Sequence, residues 1–148
     1  MIISHRGNIN GKKSNLENSP DYIDEAILLH FEVEVDVWIN DKLEIFLGHD
    51  EPQYQIDIAW LRARKDKLWI HCKNIEAIIH FNKTNDFNYF WHQNDDVTLT
   101  SKGHIWAYPG KQPIENSIAV MPEIFNDDVS TCLGVCTDFP IRYRNENV

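Results

Sequence analysis

Basic residues are scarce in this chain. Its 148 residues include 14 lysines and arginines against 23 aspartates and glutamates, a formal net charge of −9. That balance argues against a broad cationic face for nucleic acid or an anionic membrane. It leaves room for a small anionic ligand, because a site can be locally basic on an acidic protein. Cysteine is scarcer still. Cys72, Cys132 and Cys136 are an odd number, which does not suit a disulfide framework. Cys132 and Cys136 read as buried small hydrophobes, with a share in a metal site as the alternative. No apolar run is long enough to span a bilayer. The opening Met1-Ile-Ile-Ser-His lacks a basic leader with an apolar core and a small-residue cleavage site, so the expectation is a soluble cytoplasmic protein. Repeats, low-complexity tracts and linkers are absent too, which points to one domain over residues 1–148.

What the chain does have is apolar material. Hydrophobic residues make up 43%, with five tryptophans, five tyrosines and seven phenylalanines, enough to bury a core. Ile2 to His5 reads as a strand, and the polar, glycine-containing stretch after it as a loop. Ser19-Pro20 starts a helix, with Ser19 as cap and Asp21, Asp24 and Glu25 near its positive end. Phe31 to Trp38 alternates with period two, the pattern of a strand. Asn40-Asp41-Lys42 turns the chain, and Leu43 to Leu47 returns as a hairpin arm. Gln53 to Lys65 is expected to be a second helix, Leu68 to Lys73 a third strand, and Ile75, Ile78 and Ile79 mark a third helix. This βαβαβα order favours parallel strands with crossover helices. The second half is expected to be strand-rich: Asn88 to His92, a hairpin of Val97–Thr100 and His104–Tyr108, then Ser117–Met121 and Leu133–Thr137. Only Pro122 to Val129 suggests a helix among them.

Several chemically pointed residues fall at strand ends. Glu34 and Asp36 lie two apart on a strand, so both point the same way with Cα atoms about 6.5 Å apart. Two such carboxylates can converge on one hard divalent cation, Mg²⁺ or Ca²⁺, with Mn²⁺ as a further option. Glu32 shares that face. The competing reading is a solvent-facing row of acids. His5 and Arg6 close the first strand. A histidine there can act as acid or base, and the forked donors of an arginine suit phosphate oxygens. A histidine satisfied in a turn and an arginine paired with Glu32 is the alternative. His49, before Asp50, is a second proton donor or acceptor near neutral pH. Trp69, His71 and Lys73 share one strand face. Lys73 is placed to neutralise phosphate charge, and His71 to bind metal or simply to hydrogen-bond. Trp91, His92, Trp106 and Tyr108 read as pocket walls or as plain core.

At these residues the chain resembles the glycerophosphodiester phosphodiesterase family, part of a wider group with phosphatidylinositol-specific phospholipase C. The family's first strand ends His-Arg-Gly, here His5-Arg6-Gly7. A Glu-Asn-Thr-like segment opens its first helix, here Glu17-Asn18-Ser19. Glu-x-Asp on the second strand corresponds to Glu34 and Asp36, and the His-Asp that ends a hairpin to His49-Asp50. The third strand's Glu-x-Lys is matched at Lys73, and a last strand ending Thr-Asp-x-Pro at Thr137-Asp138-Phe139-Pro140. The resemblance implies an α/β fold of the TIM-barrel type with its site at the C-terminal strand ends. It also implies a metal held by Glu34 and Asp36, an acid/base pair of His5 and His49, and phosphate held by Arg6 and Lys73.

Two departures stand out. The family's third acidic ligand falls at His71, and imidazole is a poorer ligand for Mg²⁺ or Ca²⁺ than carboxylate. Glu17 and Asp138 are the other residues able to complete the ligand set, and Trp106 a pocket residue beside them. The chain is also short, since such barrels usually need about 250 residues. The expectation is a reduced or incomplete barrel of about seven to eight short strands, with few helices in the second half and one hairpin after strand 2. Its wall is expected to be open or closed by a second copy. The expected activity is metal-dependent hydrolysis of a small phosphodiester such as a glycerophosphodiester. The alternative is a shrunken barrel that binds a phosphorylated ligand without cleaving it.

Overall fold

A computed structural model describes residues 1–146. Alternating apolar side chains build its central strand, β2 (Glu32–Ile39), in which Val33, Val35 and Val37 are fully buried. They lie under α1 (Pro20–Leu28), α2 (Ile58–Arg64) and α3 (Ile75–Asn82), packed with Ile23, Ala26, Leu61, Ala77 and Phe81. The acids of β2 therefore face the other way, into the concave side of the sheet. The solvent-facing reading of Glu34 and Asp36 does not hold, since they are 2% and 0% exposed.

Around β2 the sheet curls. β1 (Ile2–His5) pairs parallel with one edge of β2, and β5 (Leu68–Cys72) with the other. The parallel run continues from β5 to β6 (Asn88–Phe90), and from β1 through β10 (Gly134–Thr137) and β9 (Ser117–Val120) to β8 (Ile105–Ala107). An antiparallel strand, β7 (Val97–Leu99), pairs with β8. The two ends of the curl, β6 and β7, meet through a few hydrogen bonds and no strand ladder. The Ser101 N–H donates to the Tyr89 carbonyl at 2.8 Å, and the Tyr89 N–H to Ser101 Oγ at 2.9 Å. Thr98 Oγ1 donates to the Trp91 carbonyl at 3.1 Å. The result is an incomplete barrel whose interior holds Ile3, Trp69, Phe90, Trp106, Ile118, Val120 and Cys136.

The hairpin after β2 consists of β3 (Ile45–Leu47), with β4 (Tyr54–Ile56) beyond it. It continues along the edge of β2 that β1 vacates. Arg6 causes that exchange: its φ of 55° swings the chain away after its N–H has donated to the Glu34 carbonyl at 3.0 Å.

Two expectations need correction. The helix expected from Gln53 starts only at Ile58, because the Asp57 side chain accepts from the Trp60 N–H and caps it, while Tyr54–Ile56 pairs with β3. The helix expected over Pro122–Val129 is a single 3₁₀ turn, Pro122–Ile124, ended where Asn126 takes a φ of 53°. The curl holds eight strands, β1, β2 and β5 to β10, within the expected seven to eight, and β3 and β4 extend the sheet to ten. A short helix, α4 (Pro140–Asn145), follows the Thr-Asp-x-Pro segment, where the sequence reading ended on a strand. Cys72 and Cys136 are buried free thiols and Cys132 is partly buried, as expected of small hydrophobes. Among the described residues no helix is long and apolar enough to cross a membrane.

Candidate functional site

Strand polarity brings the chemically pointed residues together. All the parallel strands end on one side, and the register sets His5 beside Glu34 and Asp36 beside His71. His5 and Arg6 leave β1, Glu34 and Asp36 lie in β2, and His71 and Lys73 end β5. Asp138 follows β10, and Gly48 in the hairpin delivers His49. Tyr108 closes β8, and with Trp106 it lines a cavity of about 90 Å³ shared with His5, Arg6, Glu34, His49 and His71. A wider cavity of about 420 Å³ opens from Arg6 and His49 toward Lys12, Ser14, Glu17 and Gln53.

Asp36 is the electrostatic centre. Arg6 Nε stands 3.1 Å from its Oδ2, His49 Nδ1 3.5 Å, His71 Nδ1 3.3 Å from its Oδ1, and Lys73 Nζ 3.8 Å. Burial alone would raise the carboxyl's pKa, but His49, His71 and Arg6 hold it well below the usual range. Asn18 fixes it sterically: Asn18 Nδ2 donates to Asp36 Oδ2 at 2.9 Å, and the Asp36 N–H donates to Asn18 Oδ1 at 3.0 Å. Asn18 has a φ of 65°, a conformation asparagine tolerates better than most residues. Sequence reading placed Asn18 only within a motif and assigned it no role.

His5 has a different partner. Its Nδ1 lies 2.8 Å from Asp138 Oδ1, which fixes Nδ1 as the donor and leaves Nε2 for proton transfer, 3.9 Å from Glu34 Oε2. Burial opposes a charge on His5, yet Asp138 and Glu34 outweigh it and raise the pKa. Asp138 is held low in turn: His5, Asn8 and Arg6 offset its burial. Asn8 ties the group together, donating through Nδ2 to Glu17 Oε2 and Asp138 Oδ1, both at 2.8 Å. It was missed because a lone asparagine in a polar loop carries no signal in sequence. Arg6 NH2 donates to His49 Nδ1 at 2.7 Å, and Arg6 NH1 is 3.8 Å from Glu17 Oε1. Its guanidinium thus spans both clusters, and Glu32, the partner first considered for it, instead accepts from Trp69 Nε1 at 2.6 Å.

Among the described residues two groups bring three possible ligand atoms within 4.8 Å of one another: Glu34, Asp36 and His71, and separately His5, Glu17 and Asp138. Glu17 and Asp138 therefore gather around His5 and do not complete the Glu34–Asp36 set. Glu17 Oε2 and Asp138 Oδ1 already accept from Asn8, and Asp138 Oδ1 also from His5. The first group is less satisfied. Glu34 Oε2 and Asp36 Oδ1 are buried without a hydrogen-bond partner. Leaving such oxygens unpaired is costly, and a cation between them would remove the cost. Two carboxylates and an imidazole are a chemically sound donor set for a divalent ion. His71 itself faces the two acids as a cation: burial lowers its pKa, but Asp36 and Glu34 together raise it to about 9. Of the expected aromatic walls, Trp106 and Tyr108 line the inner cavity. Trp91 instead lines an outer groove over the β6–β7 seam. His92 packs its ring on Tyr108 with centroids 3.6 Å apart.

Comparison of the chain with family models, curated proteins and solved structures found no match in any of the three.

Proposed function

We propose that this protein is a metal-dependent phosphodiesterase acting on a small phosphodiester such as a glycerophosphodiester, built on a reduced barrel of the TIM type. One observation carries the reading. His5, Arg6, Glu34, Asp36, His49 and Lys73, drawn from three strands and a hairpin, meet on one side of the sheet, where one buried oxygen each of Glu34 and Asp36 accepts no hydrogen bond.

Glu34, Asp36 and His71 would hold the divalent cation. When bound, it would draw charge from the phosphate oxygens and orient the diester. Arg6 and Lys73 provide fixed positive charge for the phosphoryl oxygens, and Arg6 can present two donors in one plane. His5 and His49 share the inner cavity with Arg6 and form the acid/base pair. The Asp138 carboxylate orients His5 and stabilises its protonated form, so Nε2 is the atom that exchanges a proton with substrate. His49, with Nδ1 accepting from Arg6, has Nε2 for the opposite transfer. Trp106 and Tyr108 wall off the inner cavity and limit water around the reacting atoms.

A second reading has its own support. Arg6, His71 and Lys73 already surround Asp36 and neutralise it, a network that would also suit a module binding a phosphorylated ligand without cleaving it.

The test is release of the alcohol from a glycerophosphodiester with added Mg²⁺, Mn²⁺ or Ca²⁺. Turnover is expected, with loss of at least about a hundredfold in His5→Ala, in line with general acid–base catalysis, and comparable loss in Glu34→Ala. Ligand binding without product from a folded protein would favour the binding module.

A further inference from the structure

His71 bears on which cation the Glu34–Asp36 pair accepts. Its Nε2 lies 2.9 Å from the His92 carbonyl oxygen. A carbonyl only accepts, so Nε2 carries the hydrogen and Nδ1 is the nitrogen available to a cation. Nδ1 stands 3.3 Å from Asp36 Oδ1 and 3.7 Å from Glu34 Oε1. Although close to Nδ1, Asp36 Oδ1 has no hydrogen-bond partner. Adjacent ligands around an ion with bonds of about 2.1 Å sit about 3.0 Å apart, so these three atoms need only small shifts to share one. The carbonyl that orients the ring is itself held in place. The His92 ring stacks on Tyr108, its Nε2 donates to the Asp95 carbonyl at 2.5 Å, and Tyr108 Oη donates to the Gln93 carbonyl at 2.8 Å. The opposite side of His71 stacks on Phe90 with centroids 4.9 Å apart.

We infer that His71 ligates through Nδ1, with the His92 carbonyl as its positioning group, and that this nitrogen biases the site toward borderline transition cations of the Zn²⁺ and Co²⁺ class and away from Mg²⁺ and Ca²⁺. The inference rests on the reading of Glu34 and Asp36 as a cation site. Its physical ground is ligand softness: hard alkaline-earth ions favour all-oxygen sets, whereas imidazole suits zinc and cobalt. Almost any mixed site binds Zn²⁺ more tightly than Mg²⁺, so absolute affinity decides nothing. The change in preference when the nitrogen is replaced does.

The experiment has two arms. Calorimetry gives the Zn²⁺ and Mg²⁺ affinities of the wild-type chain and of His71→Glu. Proton NMR of the Co²⁺-loaded wild type looks for an exchangeable, strongly shifted imidazole N–H, assigned to His71 by dipolar contact with the Phe90 ring. The expected result is that signal, together with a Zn²⁺-over-Mg²⁺ preference that falls about tenfold or more in His71→Glu, on the scale of losses when a metal's supporting shell is disturbed. If Co²⁺ binds and no shifted N–H near Phe90 is found, the inference fails while the cation reading stands. An unchanged preference in a folded His71→Glu also overturns it. Failure of every divalent ion to bind overturns both. Should His71→Glu not fold, the wild-type cobalt spectrum decides alone.

Discussion

At the scale of single residues, charge is concentrated where the chain as a whole has least basic charge to spare. Arg6, Lys73 and His71 surround Asp36 and Glu34 in a molecule of net charge −9. The pH response follows. His71 has a pKa raised from 6.5 to about 9, so the folded state holds that proton more tightly than the unfolded chain. Its contribution is complete below pH 6.5 and is lost as pH rises through about 9. A shift of that size corresponds to about 3 kcal/mol. Denaturant unfolding in EDTA between pH 6 and 10 is therefore expected to show stability falling across this window, and His71→Gln to flatten the fall. A wild-type profile that stays level would show that Asp36 and Glu34 do not charge the ring. Much at this scale was legible in the sequence, because Glu34 and Asp36 alternate with valines and His5-Arg6-Gly7 is a compact signature. Asn8 and Asn18 were not. Their value lies in contacts between loops and β2, and one asparagine looks like another until the chain folds.

At the scale of elements, strand ends and turns decide which side chains reach the site. β2 is long enough to pair with β1 along its first half and with the β3 hairpin along its second, because Arg6 and Gly7 turn the chain away between them. Gly48 sets the other approach. A Cβ there would lie 2.1 Å from the Glu51 carbonyl oxygen and 3.1 Å from Gln53 Cβ, with no flexible group to give way. Gly48→Ala is therefore expected to displace His49 and lower turnover as far as His49→Ala does, while cation affinity holds within about threefold. Parallel calorimetry and kinetics check this. Equal turnover in Gly48→Ala and wild type would mean that the hairpin does not position His49. Periodicity revealed most strands and crossover helices. It failed at Tyr54–Ile56 and at Pro122–Val129, where local apolar spacing suits a helix. A strand partner in β3 and the left-handed Asn126 decide otherwise. Neither is visible from neighbouring residues alone.

At the scale of the whole molecule, seven parallel strands and an antiparallel β7 curl far enough to enclose a floor of Trp69, Phe90 and Trp106 under the site. The curl is completed by one backbone hydrogen bond and two hydroxyl contacts, and not by a strand ladder. Ser101→Ala removes the acceptor of the Tyr89 N–H and the donor to the Phe87 carbonyl, at an expected cost of about 1 kcal/mol. Amide exchange at Tyr89 and Phe90 is expected to accelerate more than exchange in β1 or β2, and uniform acceleration would argue that the seam opens only with the whole sheet. Parallel strands with crossover helices were readable from the order of the first elements, whereas the expectation of a reduced barrel came from the family resemblance and the chain's length. How it closes was not readable, since β7 meets β6 only through Thr98, Ser101 and the backbone of Tyr89 and Trp91, contacts that no local pattern announces. The central claim is that this end of the barrel hydrolyses phosphodiesters with the help of a cation. The most direct measurement is hydrolysis of bis(4-nitrophenyl) phosphate against free divalent cation, run beside the calorimetric binding curve of the same ion. The account predicts turnover that rises with occupancy, disappears in EDTA and returns on adding the ion back. A folded protein that binds the cation and the diester yet releases no nitrophenol would contradict it.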